Sequence, residues 1–295
     1  MPAFLSNPGN PRRRLRELLD HNRPLLAPGS HDALSARLVE QAGFDAVYMG
    51  GFATTASLLG RPDIGLLGES EMIDNARRIV QTVGLPVIAD ADTGYGNPLN
   101  VIRTVRDYEQ AGVAAIHLED QVSPKRCGHM SGKSVIPVED MVAKLRAAVD
   151  ARTDPDFVLI ARTDALAVEG VDAAIERARR YAQAGADILW IEAPDTEQEL
   201  EKIADELDGH TLLLNWLEGG RTPAIDIDRI RKMKFALVLF PIGSVLAMAS
   251  ALREHLAHVK AHGTPAGRLD QLPSFDDFTD TVGLCEIGAL DQRYR

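Results

Sequence analysis

The sequence predicts an α/β fold, a single (β/α)8 barrel of the TIM-barrel type that takes up residues 1–295 and includes a C-terminal extension from about residue 264. Eight short apolar segments alternate with helical patterns along the chain, as in barrels built from strand–helix units. Three of these segments follow the same Gln-Ala-Gly tripeptide, which indicates a repeated unit of helix, glycine and strand. The length of 295 residues suits a barrel of about 250 residues with extensions.

The predicted elements follow one another in a regular order. The segments that predict strands are 25–29, 46–50, 86–91, 115–119, 157–162, 188–193, 211–216 and 235–241. The helical patterns lie near 31–42, 70–83, 98–111, 138–151, 171–184, 196–207, 226–232 and 244–261. Residues 14–19 predict a short amphipathic helix before the first strand, and Ser30 is in position to cap the helix after it.

The repeated unit indicates where the second, fourth and sixth strands begin. Gly43, Gly112 and Gly185 each end a helical pattern, because glycine readily takes the left-handed conformation that terminates a helix. The apolar run after each glycine is typical of a strand buried on both faces in a parallel sheet. A doubly wound open sheet is the alternative, but no dinucleotide-binding glycine fingerprint follows the first strand.

Composition and charge exclude several classes of function. The formal net charge is −11, from 43 acidic residues against 32 Lys and Arg, which disfavours binding to nucleic acid or to anionic membranes. The two cysteines are far apart and suit a reducing compartment. No apolar run approaches the roughly 20 residues of a membrane span, and residues 1–5 do not resemble a secretory signal. We therefore expect a cytoplasmic protein.

The ends of the predicted strands supply a cluster of carboxylates. In a barrel the active site lies at the carboxyl ends of the strands. Asp90 and Asp92 share one face because strand side chains alternate, and Glu119 ends the next strand. Close carboxylates repel one another unless a cation neutralises them, and oxygen ligands favour Mg²⁺, with Mn²⁺ also possible. The alternative is a capping or ion-pair role for each acid.

The segment 115–130 carries the densest set of reactive groups. It is an apolar strand that ends in two carboxylates and continues into a loop with Lys125, Arg126, Cys127 and His129. Cationic neighbours predict a lowered pKa for the Cys127 thiol, which could then exchange a proton with a carbanion or enolate. The alternative is a solvated loop with an incidental thiol. We assign no role to Cys285 and expect His117 to be a core residue.

Further strand-end residues suit an anionic substrate. Arg162 offers a planar fork for a carboxylate, although an ion pair with Glu192 or Asp164 would also explain it. Asn215 is a neutral donor or a turn partner. The pair Gly50-Gly51 offers backbone N–H groups to an anion or simply forms a tight turn. No lysine falls at a strand end, which excludes a Schiff-base aldolase, whereas a phosphorylated substrate stays open.

Together these motifs resemble the isocitrate lyase/phosphoenolpyruvate mutase superfamily. The matching segments are 90–96, 119–121, 125–129, 161–165 and 218–223. The short lyase branch, with 2-methylisocitrate lyase, dimethylmalate lyase and the petal death protein, is the most similar. The resemblance implies a Mg²⁺-dependent barrel, a homotetramer whose C-terminal helices are exchanged between subunits, and cleavage of a small 2-hydroxy carboxylic acid through a metal-stabilised enolate.

The resemblance also implies a role for each matching position. The metal residues are Asp90, Asp92, Glu119 and Asp63. The substrate-binding residues are Tyr48, Gly50, Gly51, Gly128, Arg162, Glu192 and Asn215. The catalytic residues are Cys127, Glu119, Arg162, Lys125 and His129, with Cys127 as the general acid on a gating loop.

Departures from the family pattern bear on the substrate. The chain has Gly50-Gly51-Phe52 where methylisocitrate lyases usually have Ser-Gly-Gly, and the segments 130–133 and 218–223 look more like the petal death protein, dimethylmalate lyase and carboxyphosphonoenolpyruvate mutase branches, which disfavours a tricarboxylate. The predicted substrate is a substituted malate or a methylisocitrate-like acid. The leading prediction is a carbon–carbon lyase that releases pyruvate or another 2-oxo acid. The alternatives are an oxaloacetate hydrolase or decarboxylase, a carboxyphosphonoenolpyruvate phosphonomutase, and a non-catalytic barrel that binds a dicarboxylate.

Overall fold

The computed structural model describes residues 9–20 and 23–295 and confirms the barrel. Its parallel strands are β1 Leu25–Pro28, β2 Val47–Met49, β3 Val87–Asp90, β4 Ala115–Glu119, β5 Val158–Thr163, β6 Ile188–Ile191, β7 Leu213–Asn215 and β8 Leu237–Phe240. Each lies within or beside a predicted segment. The segment 1–5, for which the absence of a signal was predicted, lies outside the described residues.

Two hydrogen-bonded ladders close the barrel. One has the order β1-β8-β7 and the other the order β2-β3-β4-β5-β6. Parallel bridges join Gly29 to Tyr48 and Leu189 to Leu212, so the ladders meet at both edges. The strands are therefore all parallel neighbours in a closed ring, and their carboxyl ends open at a single mouth.

Helices cover the outside of the barrel. They are α1 Pro11–Leu19, α2 Ala33–Gln41, α3 Gly51–Leu59, α4 Glu69–Val80, α5 Pro98–Ala111, α6 Val138–Ala151, α7 Leu166–Glu169, α8 Val171–Gln183, α9 Glu197–Glu206, α10 Ile227–Lys232, α11 Gly243–His262, α12 Phe275–Thr281 and α13 Leu284–Arg293, with a 3₁₀ turn at Ala266–Gln271. None of these helices is long and apolar enough to cross a membrane.

Two local predictions were wrong. The cap of α2 is Asp32 rather than Ser30, because the Asp32 carboxylate accepts from the Ser35 N–H and Ser35 bonds back to Asp32. The pair Gly50-Gly51 is not a plain turn but opens α3, which the sequence did not predict. The repeated unit is confirmed at Gly112, which ends α5 with a φ of 91°.

The core positions the site by filling the lower part of the barrel. Apolar side chains from the strands, including Ile88, Ile160 and Leu237, occupy the interior, and Leu15 of α1 seals its amino end. Toward the carboxyl ends the inward positions become polar. The next inward side chain after Ala115 on β4 is His117, and the one after that is Glu119. The polar groups therefore lie directly above the packed apolar core of the barrel.

Candidate active site

The strand ends bring the predicted residues to one pocket at the mouth of the barrel. Strand register places Asp90 beside His117 and Glu119 beside Arg162. The pocket is lined by Tyr48, Gly50, Gly51, Asp63, Asp90, Lys125, Cys127, Gly128, Arg162, Glu192 and Asn215, together with Phe52, Trp190, Leu217, Pro241 and Ile242. The other three predicted residues touch lining residues, since Asp92 contacts Lys125, Glu119 contacts Arg162 and His129 approaches Glu192.

Lys125 lies at the centre of the aspartates. Its Nζ is 2.8 Å from Asp63 Oδ1 and 2.8 Å from Asp92 Oδ1. Burial raises the pKa of Asp92 to about 7, with Lys125 opposing the rise and the negative charges of Asp90 and Asp63 adding to it. Burial acts in the same direction on Asp90, but His117, Lys125 and Arg162 outweigh it and hold the pKa of that carboxyl well below its usual range.

Counted in their ionised forms, the buried side chains in and around the pocket carry more negative than positive charge, while burial raises the pKa of Asp92 and of Glu119. The buried carboxylates are Asp63, Asp90, Asp92, Glu119, Asp164 and Glu192, whereas the buried cationic side chains among them are Lys125, Lys133 and Arg162. Glu119 Oε1 is buried and has no hydrogen-bond partner. No group of three or more acidic, His or Cys side chains in the described part of the chain is arranged to hold a metal by itself. The oxygen donors and the charge excess fit a divalent cation, and its binding residues stay a prediction.

Arg162 is held by three carboxylates. Asp164 accepts from Nε at 2.9 Å and from Nη2 at 3.1 Å. The other two guanidinium contacts are Glu119 at 3.3 Å and Glu192 at 3.5 Å. The guanidinium also lies over the Trp190 ring, 4.7 Å from its centroid. The ion pairs considered from the sequence are therefore present, and they fix the direction in which Arg162 faces the pocket.

Glu192 and Asn215 form a second polar pair. The Trp190 indole N–H donates to Glu192 Oε2 at 2.7 Å, and Asn215 Nδ2 lies 3.2 Å from both Glu192 oxygens. Asn215 Oδ1 is buried without a hydrogen-bond partner. Because its amide donates to Glu192, Asn215 presents an acceptor, which suits a substrate hydroxyl better than a carboxylate.

His117 takes part in the site, which the sequence did not predict. Its Nε2 is 2.9 Å from Tyr48 Oη and 3.4 Å from Asp90 Oδ1. Burial lowers the pKa of His117 to about 4, so the ring is neutral. Its Nδ1 is buried without a partner, and a buried N–H without an acceptor is rarer than a bare lone pair. We therefore place the proton on Nε2, which leaves the Tyr48 hydroxyl free to donate into the pocket.

Gly51 differs from its predicted role. Its N–H donates to Asp90 Oδ2 at 2.8 Å and is not available to an anion. A Cβ at Gly51 would lie 2.9 Å from the same oxygen and 3.1 Å from Lys125 Nζ. Glycine is needed here because the start of α3 approaches the acidic cluster closely.

The predicted pKa shift of Cys127 was wrong in direction. Burial raises the pKa of the thiol to about 11, and the nearby negative charges of Glu192 and Asp63 add to the effect. Lys125, which was expected to lower it, turns toward Asp63 and Asp92. The thiol is therefore protonated at neutral pH, the state that a proton donor requires.

The loop that carries Cys127 is docked onto the pocket. A Cβ at Gly128 would lie 2.1 Å from Glu192 Oε1, so the loop backbone rests directly against that side chain. His129 Nδ1 accepts from the Arg221 N–H at 3.0 Å, which joins the loop to the segment after β7. The cavity below has a volume of about 30 Å³, room for about one water molecule. The pocket is too small for a carboxylic acid substrate while the loop lies in this position.

Sequence reasoning gave no role to two residues that support the site. Lys133 donates to Asp164 Oδ1 at 2.7 Å, and its side chain is 1% exposed. Asp120 accepts from the Thr163 hydroxyl, the Tyr181 hydroxyl and the Asp164 N–H at 2.7, 2.7 and 2.9 Å. The sequence placed Asp120 at a strand end, but nothing in it pointed to Lys133.

Comparison with known proteins identifies the family. Residues 15–260 match the profile of the family described as phosphoenolpyruvate phosphomutase. The 2,3-dimethylmalate lyase of Eubacterium barkeri is 46% identical over 285 residues, which are 97% of this chain and 98% of that protein. The chain belongs to the phosphoenolpyruvate mutase/isocitrate lyase superfamily. The resemblance and the prediction of an enzyme of the lyase type are therefore confirmed.

Solved structures of this superfamily have the same fold. Oxaloacetate acetylhydrolase in complex with 3,3-difluorooxalacetate aligns with a TM-score of 0.92 and 38% identity over 97% of both chains. Phosphonopyruvate hydrolase in complex with oxalate and Mg²⁺ aligns with a TM-score of 0.89 and 33% identity over 97% of this chain and 99% of that one. The superfamily fold thus accommodates Mg²⁺ together with a small dicarboxylate.

Proposed function

We propose that this protein is a Mg²⁺-dependent carbon–carbon lyase that cleaves a substituted malate to a 2-oxo acid, such as pyruvate, and a carboxylate. The observation that carries the proposal is the division of the pocket into two unlike walls. The charged lining residues include Asp90, Lys125, Arg162 and Glu192, whereas the apolar wall is formed by Phe52, Leu217 and Ile242, which pack in one cluster, with Pro241 also lining the pocket. A substrate that fits both walls has carboxylates at one side and alkyl substituents at the other.

The apolar wall favours an alkylated malate over a tricarboxylate. A third carboxylate on that wall would have no cation beside it, because the lining cations are Lys125 and Arg162 and neither belongs to the apolar cluster. Burying an unpaired carboxylate is strongly unfavourable. Methyl groups, in contrast, gain free energy by leaving water there.

The chain's own side chains suit the cleavage step. The 2-hydroxyl would pass its proton to a carboxylate of the pocket lining, such as Glu192, as the bond between C2 and C3 breaks and its electron pair goes to C3. Cys127 then donates its thiol proton to C3, which its raised pKa permits at neutral pH. Arg162 would hold a substrate carboxylate, while the Tyr48 hydroxyl would donate to the oxygen on C2.

The acidic cluster would hold the metal. Asp90 and Asp92, with Asp63 and Glu119 beside them, would bind Mg²⁺ directly or through water. When bound, the ion supplies Lewis-acid stabilisation of negative charge on the substrate oxygens. The unpartnered Glu119 oxygen and the charge excess of the pocket support this assignment.

A substrate panel tests the function. The purified enzyme is given 2-alkylmalates, 2,3-dimethylmalate, methylisocitrate, oxaloacetate and phosphonopyruvate, with Mg²⁺ or with EDTA, and 2-oxo acid release is measured beside phosphorus NMR. We expect cleavage of the alkylmalates alone, and only with Mg²⁺. Turnover of oxaloacetate would support the hydrolase, and rearrangement of the phosphonate would support the mutase. Tight binding of a dicarboxylate without any reaction would support a non-catalytic binding barrel. Metal-independent cleavage would overturn the mechanism.

We also propose that the protein is a cytoplasmic homotetramer in which C-terminal helices are exchanged. The segment after α11 leaves many large apolar side chains exposed, namely Leu269, Leu272, Phe275, Phe278, Val282, Leu284 and Ile287. Such a surface is typical of a subunit interface. The two cysteines are both free, which supports a reducing compartment.

A further inference from the structure

Lys133 makes a set of contacts that neither the metal cluster nor the substrate pocket requires. It lies in the segment between β4 and α6 that also carries Cys127, and its side chain is 1% exposed. Its amine donates to Asp164 Oδ1 at 2.7 Å and to the carbonyl oxygen of Gly128. One ammonium group thus joins the wall of the barrel to the residue next to the thiol.

Asp164 connects Lys133 to Arg162. The same carboxylate accepts from Arg162 Nε at 2.9 Å and from Nη2 at 3.1 Å. The bond that docks the loop and one of the bonds that orient the guanidinium therefore share an oxygen atom, Asp164 Oδ1. If the loop lifts to admit a substrate, Lys133 moves away from Asp164. The Asp164 carboxylate then keeps its bonds to Arg162 but loses the bond to Lys133.

We propose that Lys133 is a positioning residue that holds the Cys127 loop closed and, through Asp164, fixes the direction of Arg162. This contact with the barrel is suited to the task, because a buried ammonium forms a strong charge-assisted bond to a carboxylate and loses stability when that partner is removed. Opening breaks the bond to Asp164, whereas the bond to Gly128 lies within the loop segment, so the bond to Asp164 defines the closed position. The role in turnover rests on the proposed function, whereas the closure itself does not.

The test uses the thiol as a reporter of loop opening. The chain has two cysteines, and Cys285 is exposed in the C-terminal extension, so Cys285→Ser leaves Cys127 as the single thiol. In that background the rate of alkylation by iodoacetamide is measured without substrate. Lys133→Met keeps the length of the side chain but removes the amine. We expect it to raise the alkylation rate about tenfold or more, because the loop loses its charge-assisted bond to Asp164.

Matched variants separate closure from general damage. Lys202→Met removes an exposed lysine that pairs with Asp172 and Glu206, and it should alkylate at the unsubstituted rate. Lys133→Arg keeps the charge and should stay within about threefold of that rate. Thermal melts show whether each variant is folded at the assay temperature.

The outcomes distinguish the two proposals. Alkylation of Lys133→Met at the rate of the unsubstituted protein would overturn the positioning role, even if turnover were lost. Equal acceleration by Lys133→Arg and Lys133→Met would also overturn it, since the retained charge would then have no effect. If no compound in the substrate panel reacts, the alkylation rates still decide whether Lys133 closes the loop. With an active substrate, we expect Lys133→Met to lower kcat more than it raises KM.

Discussion

The Cys127 thiol keeps its proton because the loop buries it beside carboxylates rather than beside free cations. Burial raises its pKa to about 11, so at pH 9 it remains protonated, whereas an unshifted thiol near 8.5 would be mostly ionised. Since a general acid works in its protonated form, activity should not fall through loss of this proton between pH 7 and about 10.

The pH dependence of kcat checks this prediction directly. We expect no alkaline decrease near pH 8.5 in the unsubstituted enzyme. Cys127→Ser should lower kcat by roughly 10²–10⁴-fold with little change in KM, because in the proposed mechanism the thiol donates its proton in the chemical step. An alkaline limb near pH 8.5 would contradict the protonated thiol, and full activity of the serine variant would contradict the role as acid.

Gly128 leaves no space for a side chain in the closed loop. A Cβ there would lie 2.1 Å from Glu192 Oε1 and 2.4 Å from Arg162 Nη2. Gly128→Ala should therefore keep the loop from docking and lower kcat/KM by about 10²-fold. Gly68→Ala is the control, because the nearest atom to its added Cβ would be 3.7 Å away. Comparable steady-state kinetics for the two variants would show that the loop does not close in this way during turnover.

At the scale of elements, Asp120 joins β4 to β5 and α8. Its carboxylate accepts from Thr163 and Tyr181 and lies 3.3 Å from Arg177 Nη1. It also accepts from the Asp164 N–H at 2.9 Å, which places the partner of Arg162.

Asp120→Asn should destabilise the fold and distort the site together. The amide leaves the buried Arg177 without this counter-charge and turns a donor toward the hydroxyls, so we expect a loss of about 2–4 kcal/mol in the free energy of unfolding. Urea denaturation measures the loss. Asp208→Asn, in an exposed pair with Lys234, should have no measurable effect. Equal stability of the two variants would show that the bridge contributes little.

The same elements show what the sequence could predict. Strands and most helices were predictable because apolar periodicity and the Gln-Ala-Gly units are local signals, and the acids at strand ends followed from the barrel rule. The direction of the Cys127 pKa was not predictable, because it depends on which way Lys125 turns after folding. The role of Lys133 was not predictable for the same reason, because its partner Asp164 is 31 residues away in the sequence.

At the scale of the whole molecule, the C-terminal extension contrasts with the barrel. Val245 is the one buried residue of the 20-residue α11, and α12 has none in the described chain. A helix that buries so little on its own chain gains its stability from packing elsewhere. A neighbouring subunit would supply that packing, which is why we place the interface here and not on the barrel wall.

A single exposed residue tests this interface. Phe275 is 81% exposed, so Phe275→Glu should leave the folded protomer almost unchanged but place a charge in the proposed subunit contact. We expect the variant to sediment as dimers or monomers at concentrations where the unsubstituted protein is a tetramer. Leu99→Glu alters an equally apolar residue, 74% exposed on α5, and should leave assembly intact. A buried carboxylate without a partner is not tolerated in a dry interface. If Phe275→Glu remained tetrameric, or if Leu99→Glu dissociated instead, the subunits would therefore have to meet through a surface other than this extension.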